Sequence, residues 1–171
     1  MSRYGRMERL NLHRIIESDN LIALEILMPE YEGKIDVMPI DPPYNTAVSY
    51  IGYRDSGYEN GWGAFMRPRL ELAYRLLSDR GVMFIHIDEN EFFTLWSLCS
   101  EIFGAENLMT MIWKKANEHF DRNRKEKPLE SGIRRTHEFI VACFKDKART
   151  ILHPIYQPVW NGTGYTDVVK P

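Results

Sequence analysis

The stretch Ile35-Asp36-Val37-Met38-Pro39-Ile40-Asp41-Pro42-Pro43-Tyr44 decides how the rest of the chain is read. Its first six residues are a short, mostly apolar run bounded by turn residues, the pattern of a strand buried on both faces. Pro39 sits awkwardly in such a strand, because a proline forfeits a ladder hydrogen bond. The next four residues form a stiff corner, in which two prolines fix their own φ and aim their carbonyls in set directions. What flanks this strand and corner settles the kind of sheet.

Upstream, Ser18 or Asp19 can cap a helix over residues 20–31 with Leu21, Leu24, Leu27 and Met28 on one stripe, and Gly33 ends it. Downstream, residues 62–78 place Met66, Leu70, Ala73 and Leu77 at helical spacing. Gly81 restarts the chain as a strand over 82–87. Asp88 and Glu91 resemble a capping box for a third helix, whose buried stripe is Phe92, Leu95, Cys99 and Ile102 and which stops near Gly104. Residues 108–113 and 139–144 read as two more strands, joined by a polar segment without a helical pattern, so they are expected to form a long hairpin. This alternation predicts an α/β fold, a mainly parallel Rossmann-like sheet with an antiparallel edge hairpin.

The 171 residues, 44% of them apolar, suit a single domain with a real core, and a formal charge of -2 gives no uniform field to attract polyanions. No apolar run approaches the roughly 20 residues of a membrane span. No secretory leader pattern follows Met1, so a cytoplasmic location and no membrane partner are expected. Cys99 and Cys143 are too few for a disulfide scaffold or a zinc site and are expected as buried free thiols; no metal is expected. Two connections, 45–61 and 114–136, are long enough to invite a functional reading. The second carries Lys114, Lys115, Arg122, Arg124, Lys125, Lys127, Arg134 and Arg135 against Glu118, Asp121, Glu126 and Glu130, eight positive charges to four negative, a local excess of +4.

The corner carries the chemistry. Ligands of open α/β sheets bind at the carboxyl ends of strands, which is where Asp41 to Tyr44 stand. The aspartate is a strong acceptor, a proline carbonyl a second, and the tyrosine a flat face. Together they suit a planar base bearing an amino group: two acceptors for its two hydrogens and a ring to stack on it. In the loop that follows, Tyr50, Tyr53, Tyr58 and Trp62 are placed to stack on displaced bases or to pack a lid. His86 lies within an apolar strand and His137 at a strand start, so structural roles are expected for both.

Several strings in one order resemble the amino-methyltransferases of DNA, in particular the β-class N6-adenine enzymes typified by type III modification subunits. They are Ile16-Glu17-Ser18-Asp19-Asn20-Leu21, Lys34-Ile35-Asp36-Val37 leading into Ile40-Asp41-Pro42-Pro43-Tyr44-Asn45-Thr46, and Phe65-Met66-Arg67-Pro68-Arg69-Leu70-Glu71-Leu72-Ala73. Leu77-Ser78-Asp79-Arg80-Gly81-Val82-Met83-Phe84-Ile85-His86-Ile87-Asp88-Glu89-Asn90-Glu91, Glu101-Ile102-Phe103-Gly104 with Asn107, and His137-Glu138-Phe139-Ile140-Val141 complete the set. The resemblance implies methyl transfer from S-adenosylmethionine to the N6 amino group of adenine in DNA. It implies catalytic roles for Asp41, Pro42, Pro43 and Tyr44, and cofactor contacts from Asp19, Asn20 and Asp41. DNA contacts are expected from Asn45, Tyr50, Tyr53, Lys114, Lys115, Arg122, Arg124, Arg134 and Arg135.

Such enzymes also carry a cofactor loop of the form Phe-x-Gly-x-Gly. Here only Trp160-Asn161-Gly162-Thr163-Gly164 approaches it, seven residues before Pro171, and it reads as a tail or turn. The expectation is a single partial methyltransferase domain over 1–171, with a basic variable loop at 114–136 and a tail at 156–171. It is expected to be the catalytic half of the enzyme, binding S-adenosylmethionine weakly or not at all by itself and inactive until completed by another chain, a second copy or a longer version. Pro39 and Ala47 are smaller departures from the pattern. A non-catalytic DNA- or partner-binding subunit and an N4-cytosine enzyme remain open alternatives. A phosphate-binding nucleotidase ranks last, because no Gly-rich loop with Lys and Ser/Thr follows the first strand.

Overall fold

The computed structural model describes residues 14–46, 49–50, 53–114, 136–152, 156–160 and 165–169. The Asp19 carboxylate caps the first helix, α1 (Asn20–Tyr31), by accepting the Leu21 N–H at 2.9 Å. Its expected stripe is half-buried only, and Ile22 and Ile26 on another side are exposed, so α1 is apolar around much of its circumference. It packs on the second helix, α2 (Trp62–Leu76), whose Met66, Leu70 and Ala73 are buried as their spacing predicts.

Four strands make the main sheet: β1 (Ile35–Ile40), β4 (Leu77–Ile87), β5 (Leu108–Lys114) and β6 (His137–Phe144), in the order β1-β4-β6-β5. Two short strands, β2 (Ser49–Tyr50) and β3 (Tyr53–Arg54), pair antiparallel in the loop after β1. The α/β architecture and the β5–β6 hairpin agree with expectation. The balance of pairings does not: β1–β4 is the one parallel pairing among the described strands of the main sheet, because β6, the one strand running against the other three, lies between β4 and β5 and is antiparallel to both. Among the described residues α2 alone makes a helical crossover between neighbouring parallel strands. Pro39 is accommodated because β1 stands at the edge of the sheet among the described residues, where a missing ladder donor is tolerated.

α2 stops at Leu76, two residues earlier than periodicity suggests, and the strand begins at Leu77 rather than at 82. Leu77 pairs with Ile35 and Val82 with Val37, so residues 78–81 bulge opposite Asp36. Ser78 Oγ donates to Asp36 Oδ1 at 2.7 Å across this bulge. Gly81 is required there, because a Cβ would stand 2.7 Å from the Ile35 carbonyl oxygen. The third helix, α3 (Phe92–Phe103), ends at Gly104 with φ +85°. The capping box expected at its start does not form: Asp88 instead accepts from the Asn90 N–H and side-chain amide, both at 2.9 Å.

The core lies between one sheet face and the two later helices. Trp62, Met66 and Leu70 of α2 and Leu95, Cys99 and Phe103 of α3 pack there with Met83, Ile85, Ile87, Val141 and Cys143 of β4 and β6. Both cysteines are buried free thiols, as expected. The Cys99 thiol beside it, together with burial, pushes the Cys143 thiol up. A smaller cluster, Val82, Ala142 and Phe144 with Phe84 and Met111, occupies the other face. α2 is fastened to both ends of β1: Gly33 and Lys34 donate to the Arg75 and Leu76 carbonyls at 3.0 and 3.1 Å, and Trp62 Nε1 donates to the Pro43 carbonyl at 2.7 Å. In the segment expected as a tail, β7 (Tyr156–Trp160) and β8 (Tyr165–Val169) pair antiparallel. Among the described residues no helix is long and apolar enough to cross a membrane.

Candidate functional site

β1 delivers Asp41, exposed, to the carboxyl end of the sheet, with Pro42 buried behind it. A cavity of about 600 Å³ opens beside this corner. Its walls are Asn20 and Leu24 of α1, Met38 and Ile40 of β1, Asp41, Pro42 and Pro43 of the corner, and Tyr58, Phe65, Met66 and Arg69 from the loop and α2. A second hollow of about 230 Å³, bounded by Pro39, Ile40, Asp41 and His86, shares Asp41 with the first. The carboxylate therefore borders both spaces.

The polar end of the larger cavity is built by Arg69. Its Nε donates to Asn20 Oδ1 at 2.6 Å and its Nη1 to the Phe65 carbonyl at 2.6 Å, while Nη2 lies 3.3 Å from Asp19. The guanidinium also stacks over the Phe65 ring at 3.7 Å. Asp19 and Asn20 are thus brought to the cavity that Asp41 borders, and the Arg69 charge is offset by Asp19.

Trp62 holds the Pro43 carbonyl, whereas the Pro42 carbonyl has no donor among the described residues. Tyr44 is half-buried against the core, its hydroxyl facing the Asp41 carboxylate. Burial, the hydrogen bond to Asp41 and the charges of Asp41, Glu138 and Asp88 push the phenol up, so it stays neutral. Beyond it, Asn45 adopts φ +57°. Its side-chain amide donates to Glu91 Oε1 at 2.7 Å, and its N–H to the buried Asp55 at 2.8 Å.

Of the residues singled out in the sequence, Asn20, Asp41, Pro42 and Pro43 line one cavity, and Asp19 is joined to it through Arg69. Asn45 turns inward to Asp55 and Glu91. Tyr50 and Tyr53 pair across the β2–β3 ladder, with side chains outside the described residues. Lys114 is exposed at the end of β5, opposite His137; the register places both at the same end of the sheet as the corner, and Lys114 does not line the corner's cavity. Lys115, Arg122, Arg124, Arg134 and Arg135 lie outside the described residues. His86, expected to be structural, is half-buried on the wall of the smaller hollow, edge-on to Trp113 at 5.8 Å. The roles of Arg69 and Asp55 escaped the sequence reading, while Glu91, expected in a capping box, instead holds Asn45, and Trp62, expected to stack on bases or pack a lid, instead anchors the Pro43 carbonyl. Only Arg69 left a local signal, its spacing of four from Phe65 on one helix.

The profile of a family described as DNA methylase (N6_N4_Mtase) matches residues 35–167. The probable type III restriction-modification enzyme HindVI Mod subunit of Haemophilus influenzae is 35% identical over 143 residues, 84% of this chain and 19% of that protein. The type III EcoP15I Mod subunit of Escherichia coli is 31% identical over 170 residues, 81% of this chain and 25% of that protein. A crystal structure of an M1.HpyAVI–SAM complex superimposes with a TM-score of 0.49 at 13% identity, covering 88% of this chain and 62% of that one. The chain thus spans between a fifth and a quarter of the length of these two curated relatives. With the profile covering most of its length, including the corner and every strand of the main sheet, the chain belongs to the DNA methylase family.

Proposed function

We propose that this chain holds the acceptor amino group in a methyltransferase that moves a methyl group from S-adenosylmethionine to the N6 amino group of adenine in DNA. The observation that carries the reading is the position of Asp41: an exposed carboxylate on a two-proline corner, bordering a 600 Å³ cavity on one side and a smaller hollow on the other. The larger cavity fits the cofactor in kind. Leu24, Met38, Ile40, Phe65 and Met66 offer apolar walls, Asn20 an amide for an adenosine, and Asp41 a negative charge for a cationic sulfonium.

S-adenosylmethionine, when bound, supplies an electrophilic methyl group on sulfur. The chain's own part is to hold and orient the nucleophile. Asp41 and the Pro42 carbonyl accept the two amino hydrogens, so the nitrogen lone pair is directed toward the donor. Trp62, by gripping the Pro43 carbonyl, keeps the corner from rotating. The neutral Tyr44 hydroxyl shares the Asp41 carboxylate and steadies it, while the ring of Tyr44 gives a stacking face for a base taken out of the duplex. Tyr50, Tyr53 and the basic residues Lys114, Lys115, Arg122, Arg124, Arg134 and Arg135 contact DNA in this reading, the cations through phosphates, while Asn45 shapes the turn that follows the corner. The partners are DNA and either a complementary chain or a second copy.

The test expresses the full reading frame in cells that lack adenine methylation and analyses the DNA as nucleosides by mass spectrometry. N6-methyladenine should accumulate, and Asp41→Ala should lower it on the order of 100- to 1000-fold. Because Asp41 is exposed, the variant should melt close to the parent. N4-methylcytosine in its place, no modified base, or methylation that survives Asp41→Ala overturns the reading.

A further inference from the structure

We propose that Asp55 is a positioning residue of the corner: it bonds the first two residues after Tyr44 and so fixes the path of the backbone leaving Tyr44. This rests on the methyl-transfer reading above. Four donors converge on the Asp55 carboxylate: the Asn45 N–H at 2.8 Å, the Thr46 N–H at 3.1 Å, the Thr46 hydroxyl at 2.7 Å and the Tyr58 hydroxyl at 3.5 Å. Asp55 is only 7% exposed, the buried charged side chain among the described residues. A carboxylate taken out of water loses solvation that packing alone does not return, so its place here is explained by the donors it gathers.

Those donors are the first two backbone N–H groups beyond the corner. Asn45 stands at φ +57°, a left-handed conformation that residues with a Cβ rarely adopt, and its side chain is held in turn by Glu91. The chain is thus bent immediately after Tyr44 and pinned there by two carboxylates. Between the pinned ends lies the β2–β3 pair, which carries Tyr50 and Tyr53. The fourth donor, Tyr58, is on the wall of the larger cavity and packs on Phe65 with ring centroids 4.8 Å apart. One carboxylate therefore joins the backbone leaving the corner, the end of β3 and the cavity wall. Releasing it lets Asp41 drift, and a misplacement of about 1 Å lowers turnover on the order of 100-fold.

Steady-state methylation by the full-length protein tests this. Asp55→Asn keeps the shape but turns one acceptor oxygen into a donor facing donors; kcat should fall on the order of 100-fold, a larger factor than any rise in KM for S-adenosylmethionine. Thr46→Val removes a single hydroxyl and leaves both backbone bonds, so it folds even where Asp55→Asn does not; kcat should fall about tenfold, and Thr46→Ser should recover most of it. Lower melting temperatures with parental kcat per folded molecule in Thr46→Val overturn the inference and leave Asp55 a structural residue. Asp41→Ala runs alongside: activity that survives it overturns the methyl-transfer reading itself, whereas activity lost in Asp41→Ala but parental in Thr46→Val overturns only the role of Asp55.

Discussion

β4 and β1 lie side by side in parallel, yet they are opposites in burial. β4 buries Leu77, Val82, Met83, Ile85 and Ile87, whereas no residue of β1 is buried. Val37 and Val82 are direct cross-strand partners of the same residue type, and they are 58% and 1% exposed. Position makes the difference: β4 has a strand on each side, while β1 stands at the edge with β4 as its one described neighbour in the sheet. The strand that ends in the candidate catalytic corner is thus the less buried of the two. Stability and chemistry are assigned to adjacent strands, and the two can be perturbed separately.

The sharpest test of that division is a pair of truncations. Ile85→Ala should destabilise by about 2–5 kcal/mol, because a fully buried side chain leaves a cavity. Val37→Ala should stay within about 0.5 kcal/mol in urea titrations. Equal losses would erase the contrast. Next comes the seam between the strands. Gly81→Ala should cost about 1–3 kcal/mol, since the added carbon meets the Ile35 carbonyl, which is backbone and cannot rotate away. A melting temperature equal to the parent's would mean that β1 and β4 separate there without strain.

The smallest effect concerns acid. Burial pushes the Asp55 carboxyl up, but the bonds from Thr46, Asn45 and Tyr58 outweigh it and hold the group below the ordinary carboxylate range. A depressed folded value means that its stabilisation is complete above the unfolded value, about 3.9, and is lost as pH falls through the folded one. Melting temperature should therefore fall more steeply with acid, below pH of about 4, in the parent than in Asp55→Asn. Parallel curves would show that the Asp55 bonds do not bear on folding.

Local pattern told most about the parts of the fold that are set locally. Met66, Leu70 and Ala73 reach the core as their spacing requires, and Cys99 and Cys143 are buried thiols. The helix boundary at Leu76 was harder to place, because Leu77 continues the apolar stripe and is buried whether it is read as helix or strand. The sheet has fewer parallel pairings than the alternation suggests, because β6 inserts between β4 and β5, a choice of neighbour that no strand's own residues specify. The same limit applies at the site. Asp41, Pro42 and Pro43 form a contiguous string and could be read, whereas Glu91 meets Asn45 across 46 residues and Arg69 meets Asn20 across 49. The expected box at Asp88 fails because α3 begins at Phe92, which puts Glu91 at the cap position itself, where its side chain is free to meet Asn45.

A rim strand with one neighbour ordinarily frays from its tip. Here the tip ends on Trp62, an indole only 3% exposed that begins the very helix whose far end grips Gly33 and Lys34. Strand and helix are splinted into one piece, and peeling the corner outward would drag an aromatic ring from the interior. The rigidity of the corner is therefore drawn from hydrophobic burial in the core.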